Sequence, residues 1–238
     1  MVDQSLLISA AQSVGVTLTP ETAEKFDTYA ARLVEWNEKI NLTALTDPRD
    51  IVWKHFADSL SAAPYLPQTP FSLIDVGTGA GFPGVPLALL RAELRLTLLD
   101  SLQKRLTFLD ALCKELEIPV TLVHARAEDG GQDPALREQF DVATARAVAN
   151  LPVLCEYCLP FVKVGGRFLG MKGPSGDEEL EAATSAVKKL GGKTATVKPL
   201  TLDTGGDPFD RTLIFIDKIG ETPKAYPRPA AKIKKNPL

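Results

Sequence analysis

One stretch constrains this chain more than any other. Leu73-Ile74-Asp75-Val76 reads as a buried strand and runs directly into Gly77-Thr78-Gly79-Ala80-Gly81-Phe82-Pro83-Gly84. Glycines let a backbone pass close to a ligand, and a helix N-terminus after them presents free N–H groups to it. A strand, a glycine loop and a helix in that order begin a βαβ unit. The rest of the chain must then be compatible with a parallel sheet covered by helices on both faces.

The sequence after residue 71 agrees. Short apolar runs at Phe71–Val76, Leu94–Leu99, Val120–His124, Phe140–Ala145 and Gly166–Met171 read as buried parallel strands. Helical candidates lie between and after them at Gly84–Arg91, Leu102–Leu116, Leu151–Leu159 and Asp177–Leu190. Two late strand candidates, Thr194–Leu202 and Arg211–Asp217, have no helix between them and should pair antiparallel. The expected fold is α/β, a Rossmann-like, doubly wound, mostly parallel sheet of seven strands.

Ahead of it the chain reads helical. Thr19-Pro20 is a start signal, and Phe26, Tyr29, Ala30, Leu33, Trp36, Asn37 and Ile40 form one stripe over Glu21–Ile40. Asp47-Pro48 repeats the signal before Ile51, His55, Phe56 and Leu60, with Pro64 and Pro67 closing the segment. The expected organisation is a helical extension over 1–66, a core over 67–218 and a tail over 219–238.

Composition bears on partners and compartment. With 238 residues, 45% hydrophobic, the chain can bury a full core without disulfides or metal. No apolar run is long enough to span a membrane, and Met1-Val2-Asp3-Gln4-Ser5 does not read as a signal peptide. Three cysteines outside any disulfide framework fit a reducing compartment, so a cytoplasmic protein is expected. Net charge is -3, but its distribution is uneven. Residues 218–238 hold six basic residues against Glu221 alone, a basic, Pro-rich tail on an acidic body. Such a tail is the footprint of a polyanion contact or else solvated chain without a partner.

The loop chemistry selects between two cofactor classes. Gly79, Gly81 and Gly84 satisfy the dinucleotide fingerprint, a weak match by itself. Asp75 stands two residues before the first glycine, where it would face two phosphate charges of a pyrophosphate at close range. The form Asp75-x-Gly77-x-Gly79-x-Gly81 is similar to the motif of S-adenosylmethionine-dependent methyltransferases, in which the loop wraps the amino-acid end of the cofactor. Asp100, at the end of the next strand, is suited to accept from ribose hydroxyls.

The methyl acceptor narrows by elimination. Methylation of an exocyclic amine is associated with Asp/Asn-Pro-Pro-aromatic after the fourth strand, whereas this chain has Thr144-Ala145-Arg146-Ala147-Val148-Ala149-Asn150. Methylation of a pyrimidine carbon needs a cysteine nucleophile, and Cys113, Cys155 and Cys158 have apolar helical neighbours and no adjacent proline. An acceptor with a free lone pair remains: a guanine ring nitrogen, a carboxylate or a thiolate. Arg146 and Lys172, both at strand C-terminal ends, could bind guanine edges or phosphates.

At this point the residues resemble one family, the RsmG (GidB) ribosomal RNA small-subunit methyltransferases. The motifs are Trp36-Asn37-Glu38-Lys39-Ile40-Asn41-Leu42-Thr43-Ala44, Lys54-His55 with Asp58-Ser59-Leu60, and residues 75–88. Asp100-Ser101-Leu102 with Lys104-Arg105 and Phe108-Leu109, Arg126-Ala127-Glu128, Arg146-Ala147-Val148-Ala149 and Tyr226-Pro227-Arg228 continue them. The resemblance implies methylation of guanine N7 in 16S rRNA of the small ribosomal subunit. It implies S-adenosylmethionine contacts at Gly77, Phe82, Asp100, Ala127, Glu128 and Arg146, and the loop reading adds Asp75, Thr78, Gly79, Gly81, Ser101 and Leu102. Arg146 and Lys172 are the catalytic candidates. Arg211, Arg228, Lys232, Lys234 and Lys235 are the RNA-binding candidates. The family tail continues Arg-Lys-x-Gly-x-Pro, whereas Pro229-Ala230-Ala231-Lys232 follows Arg228 here. Lys232, Lys234 and Lys235 keep the charge, so trimming residues 224–238 is expected to weaken RNA binding, flatten its salt dependence and leave cofactor affinity untouched.

Blander readings apply to several residues. His55 and Asp58, three apart, read as a structural or supporting pair, and His124 as a packing residue. Cys155 and Cys158 match C-x-x-C without a second pair, so no metal is expected. Phe26 and Trp36 read as core. Arg211 could reach RNA or pair with an acid. A monomer is expected. The rival functions are a nicotinamide-dependent reductase, for which no Tyr-x-x-x-Lys is found, and a non-catalytic rRNA-binding assembly factor.

Overall fold

The computed structural model describes residues 1–174, 176–193 and 196–238. Among these, seven strands form one sheet: β1 (Phe71–Val76), β2 (Leu94–Asp100), β3 (Val120–His124), β4 (Phe140–Arg146), β5 (Val162–Lys172), β6 (Thr196–Leu202) and β7 (Phe209–Asp217). Their order is β3-β2-β1-β4-β5-β7-β6. The first five run parallel, and β7 is antiparallel to both β5 and β6. The antiparallel pairing of the two late strands follows from the missing crossover helix. Residues 194 and 195 of the expected Thr194–Leu202 strand lie outside the described residues.

Strand order reverses direction between β1 and β4, the switch point where such sheets open a crevice. Because the strands are parallel, Val76, Asp100, Arg146 and Lys172 all end on that same edge. Strand alternation divides the apolar residues between two cores. Leu73, Leu96 and Leu98 face one; Ile74, Val76 and Leu99 face the other.

The first core is covered by α5 (Gly84–Leu90), α6 (Gln103–Glu115) and the N-terminal segment. That segment begins with α1 (Gln4–Ser13), which the sequence reading does not anticipate. Asp3 caps it by accepting from the Ser5 and Leu6 amides, and Leu7, Ala10 and Ala11 are buried. Next comes α2 (Pro20–Ile40), capped by Thr19 as expected. Phe26, Tyr29 and Leu33 along it are fully buried in the same core as Leu73 and Leu98, so this helix supplies part of a layer of the sheet's own core. After β3 a single turn, α7 (Ala127–Gly130), carries Glu128, and the second core lies under α8 (Leu151–Cys158) and α9 (Gly176–Lys189).

The helix expected over Ile51–Leu60 is not uniformly α. It is built as α3 (Pro48–Asp50), a π-helix over Ile51–Ala57 and α4 (Asp58–Leu60). The wider turn changes which side chains share a face, a feature that recurs at functional sites. Here it carries His55 and leads directly into Asp58, the first residue of α4.

The C-terminal residues are not loose chain. A short helix, α10 (Ala230–Lys235), packs against α8, and Ile233 is fully buried in the second core.

Candidate functional site

The glycine loop is shaped from below. Asp75 is fully buried, and its Oδ2 accepts from the Thr78 hydroxyl at 2.8 Å and from the Gly84 amide at 2.9 Å. These bonds tie the loop's start to the first residue of α5. Asp75 therefore lies beneath the loop rather than on the cavity wall, and its Oδ1 has no partner among the described residues. Burial, above all, raises its carboxyl to about 6. Gly77 has φ +71, and a Cβ there would come within 3.0 Å of Val148. Gly81, at φ +101, also sits under the loop, against Tyr29, Leu109 and Val85.

Above the loop lies a cavity of about 680 Å³. Gly77, Thr78, Gly79 and Phe82 line one side; Asp100, Ser101, Ala127 and Glu128 line another, with Arg146 at the end of β4. Of the predicted cofactor residues, Asp75, Gly81 and Leu102 are absent from this wall. Leu102 is 41% exposed and caps the start of α6. Asp100 accepts from the Leu102 amide at 2.9 Å through Oδ1 and from the Gly79 amide at 3.0 Å through Oδ2. A carboxylate has about four acceptor positions, so it keeps capacity for hydroxyls.

Arg146 is the joint of the site. Its Nη1 donates to Asp58 Oδ2 at 2.9 Å and to the Lys54 carbonyl at 3.0 Å, and its Nη2 donates to His55 Nδ1 at 3.1 Å. The guanidinium also lies 4.8 Å from the Phe82 ring centroid. His55 stacks on Phe82 at 4.4 Å and meets Thr43 Oγ1 through Nε2 at 2.8 Å. Burial first, and then Arg146, push the His55 imidazole down to about 3. Thr43 is positioned by Asn37, whose Oδ1 accepts from the Leu42 and Thr43 amides. The Asn-Leu-Thr motif is thus a turn that brings a hydroxyl to His55. Ala147, next to Arg146, has φ 55, an uncommon conformation for a residue with a Cβ.

A second cavity of about 350 Å³ adjoins the first and shares His55, Arg146 and Ala147 with it. Lys54, Lys172 and Arg211 add basic groups to its wall. Lys172 is on this cavity, not the larger one, and donates to Glu179 at 2.9 Å and to the Ala149 carbonyl at 2.7 Å. Arg211 donates from Nε to Asp58 Oδ1 at 3.0 Å, so Asp58 holds Arg146 and Arg211 together.

The tail candidates separate. Arg228 is occupied: its amide, Nε and Nη2 all donate to Glu156, whose side chain is fully buried. Lys234 lines the large cavity, while Lys232 and Lys235 are exposed and off it. Thr43, Val148, Tyr157, Ala230 and Pro237 also line the large cavity and escape the sequence reading. Only Thr43 and Val148 carried a signal, as members of motifs. Cys113, Cys155 and Cys158 are buried free thiols, and no His/Cys/Asp/Glu cluster suited to a metal occurs among the described residues.

A cofactor made of an adenosine and an amino acid fits this donor set. The cavity has the volume of small-molecule sites. Its two buried acids, Asp100 and Glu128, suit hydroxyl and amine donors, and the left-handed glycines keep the loop free of side chains. Parallel sheet, glycine loop and β2 acid define a class I, S-adenosylmethionine-dependent methyltransferase. A solved SAM-dependent O-methyltransferase from Thermotoga maritima shares the fold, with TM-score 0.52 at 14% identity over 79% of this chain and 72% of that one. The sequence profile of rRNA small subunit methyltransferase G (GidB) matches residues 22–204, and the chain belongs to this family. Ribosomal RNA small subunit methyltransferase G of Clostridium beijerinckii is 50% identical, over 98% of each chain. The protein of that name from Acetivibrio thermocellus is 48% identical, over 99% of this chain and 96% of that one.

Proposed function

We propose that the protein transfers the methyl group of S-adenosylmethionine to N7 of a guanine in 16S rRNA of the small ribosomal subunit. The cofactor, when bound, supplies an electrophilic methyl on a sulfonium. Gly77, Thr78, Gly79, Asp100, Ser101, Ala127 and Glu128 would hold it, with residues 67–218 as the catalytic core, 1–66 as the helical extension and 219–238 as the tail.

One observation carries the choice of acceptor. Each proton-accepting side chain of the second cavity is already held by a cation. His55 Nδ1 accepts from Arg146, Asp58 accepts from Arg146 and Arg211, and Glu179 accepts from Lys172. A site so arranged favours an acceptor that gives up no proton. Guanine N7 has a lone pair and no proton, so alignment supplies most of the effect. Arg146 and Lys172 then orient the base or its phosphate, and Arg211 and Lys54 add positive charge for the RNA backbone. Methylation at a lone pair asks for no metal, and we read the enzyme as a monomer that works in the cytoplasm. No helix among the described residues is long and apolar enough to cross a membrane.

The test is transfer of labelled methyl from S-adenosylmethionine to small subunits, followed by borohydride and aniline cleavage at 7-methylguanine. A single cleavage in 16S rRNA is expected. Label without cleavage would move the acceptor atom, and no label despite cofactor binding would overturn the reading.

A further inference from the structure

The basic tail has a second identity. Ala230, Lys234 and Pro237 line the same large cavity as Ala127, Glu128 and Tyr157. Ile233, between the first two of these, is fully buried in the second core. A segment that buries one side chain in the core and turns its neighbours to the cavity is a wall.

Its path is fixed by a ladder of polar contacts. Lys218 is 1% exposed and donates from Nζ to Glu138, to the Leu159 and Val162 carbonyls and to the Thr222 hydroxyl. Arg137 donates to the carbonyls of Thr222 and Tyr226, and Gln132 to that of Pro227. Arg228 then closes on Glu156 through two side-chain nitrogens at 2.8 and 2.7 Å. Removing one partner of such a buried, charge-assisted pair leaves the other desolvated and unpaired. The pair therefore fixes the point from which α10 departs.

We infer that residues 229–238 form part of the cofactor site, lining it together with Glu128 and Tyr157, so that cofactor affinity depends on the tail. The inference rests on the reading of this cavity as the S-adenosylmethionine site. It also reverses the expectation that the tail serves RNA alone. Lys232 and Lys235, exposed and away from the cavity, remain available to RNA, while Lys234 and Ala230 face the cofactor side.

One variant of the full chain and one shortened chain test this. Ala230→Trp adds bulk at the wall without disturbing Arg228, Glu156 or Ile233. A chain ending at Arg228 keeps Arg228 and Glu156 but lacks α10, Ile233 and the Asn236 carbonyl to which Arg228 Nη2 also donates. Dissociation constants for S-adenosylmethionine are measured by calorimetry, and RNA binding by filter retention with a small-subunit rRNA fragment. We expect Ala230→Trp to weaken cofactor binding by about tenfold or more, with RNA retention unchanged. The shortened chain should lose cofactor affinity likewise; if it does not fold, Ala230→Trp alone decides. Unchanged cofactor affinity in Ala230→Trp overturns the inference, as does a loss confined to RNA binding. A parent chain that binds no S-adenosylmethionine would instead remove the reading of the cavity itself.

Discussion

Arg146 Nη2 donates to His55 Nδ1 across 3.1 Å, and this contact assigns the tautomer of the imidazole. A guanidinium has no acceptor atom, so Nδ1 must carry the lone pair and Nε2 the hydrogen. Nε2–H then donates to Thr43 Oγ1 at 2.8 Å. The neutral ring stacks on Phe82, a cavity residue, so one chain of contacts links the Asn37 turn, the π-helix and the end of β4.

That assignment gives a pH dependence. Folded His55 protonates only near 3, against an ordinary value of 6.5. Between those values the unfolded chain binds the extra proton, so His55 contributes stability at neutral pH that is lost as pH falls through the window. Comparing denaturation of the parent and His55→Gln isolates the effect: the gap between the two stabilities should narrow by roughly 2 kcal/mol from pH 7 to pH 5. Parallel profiles would mean that the ring is not held neutral. Asp75 acts with the opposite sign. Its carboxyl, raised from 3.8 to about 6, makes the folded chain the better proton binder between those values, and Asp75→Asn should show a gap that changes the other way.

Arg146 is where the two cavities meet, so its loss should be felt in both. Arg146→Ala is expected to lower methyl transfer by about 10²-fold or more, since a misaligned pair of reactants loses that much from geometry alone. Arg146→Lys keeps the charge but cannot reach Asp58, His55 and the Lys54 carbonyl together, so it should rescue little. Single-turnover rates with saturating cofactor measure this. A variant that retains both rate and cofactor affinity would remove Arg146 from the site.

How much of this was visible in the chain depends on where each signal lies. Buried parallel strands leave apolar runs, so β1 to β4 are legible to within a residue at each end, and the glycines mark the loop. The π-turn is not legible, because Ile51–Ala57 has an apolar pattern that a 3.6-residue period accommodates. Nor is α1, a short helix held by packing of Leu7, Ala10 and Ala11. Arg228 reads as a free cation, and Arg211 stays open between RNA and an acid, because their acids, Glu156 and Asp58, lie 72 and 153 residues away in sequence. Asp75 reads as a ligand contact from its position before the loop, and only the folded backbone reveals that Gly84 and Thr78 claim it from below.

Asp58 holds two arginines from different strands, with 1% of its side chain exposed. Asp58→Asn keeps the shape but can accept through one oxygen only, leaving an amide donor against an arginine donor. A buried pair broken on one side costs about 3–5 kcal/mol, and the partial exposure of both arginines argues for the lower end, about 3 kcal/mol. Urea denaturation gives this number. The same variant should lose methyl transfer beyond any loss of folded protein, because Arg146 and Arg211 are no longer held together. Full activity per folded molecule would make Asp58 purely structural.

Gly81 offers a test of the loop that does not touch the cavity. Its φ of +101 is a region that side chains rarely adopt, and an added Cβ would lie 2.6 Å from the Tyr29 hydroxyl and 2.9 Å from Leu109 and Val85. Tyr29 cannot withdraw freely, because it is fully buried, stacks on Phe82 at 5.2 Å and donates to the Ala80 carbonyl at 2.6 Å. Gly81→Ala should therefore destabilise the fold by about 2–3 kcal/mol through overpacking and backbone strain, and weaken cofactor binding by displacing Ala80 and Phe82. Tyr29→Phe alone should cost about 1 kcal/mol for the lost hydrogen bond. In the double variant the clash with the hydroxyl is gone while those with Leu109 and Val85 remain, so the combined loss should be smaller than the sum of the two. Thermal or urea denaturation of the four proteins measures the cycle. Strict additivity would mean that the loop does not rest on Tyr29, and the support of the cavity floor would then have to be sought in Asp75 alone.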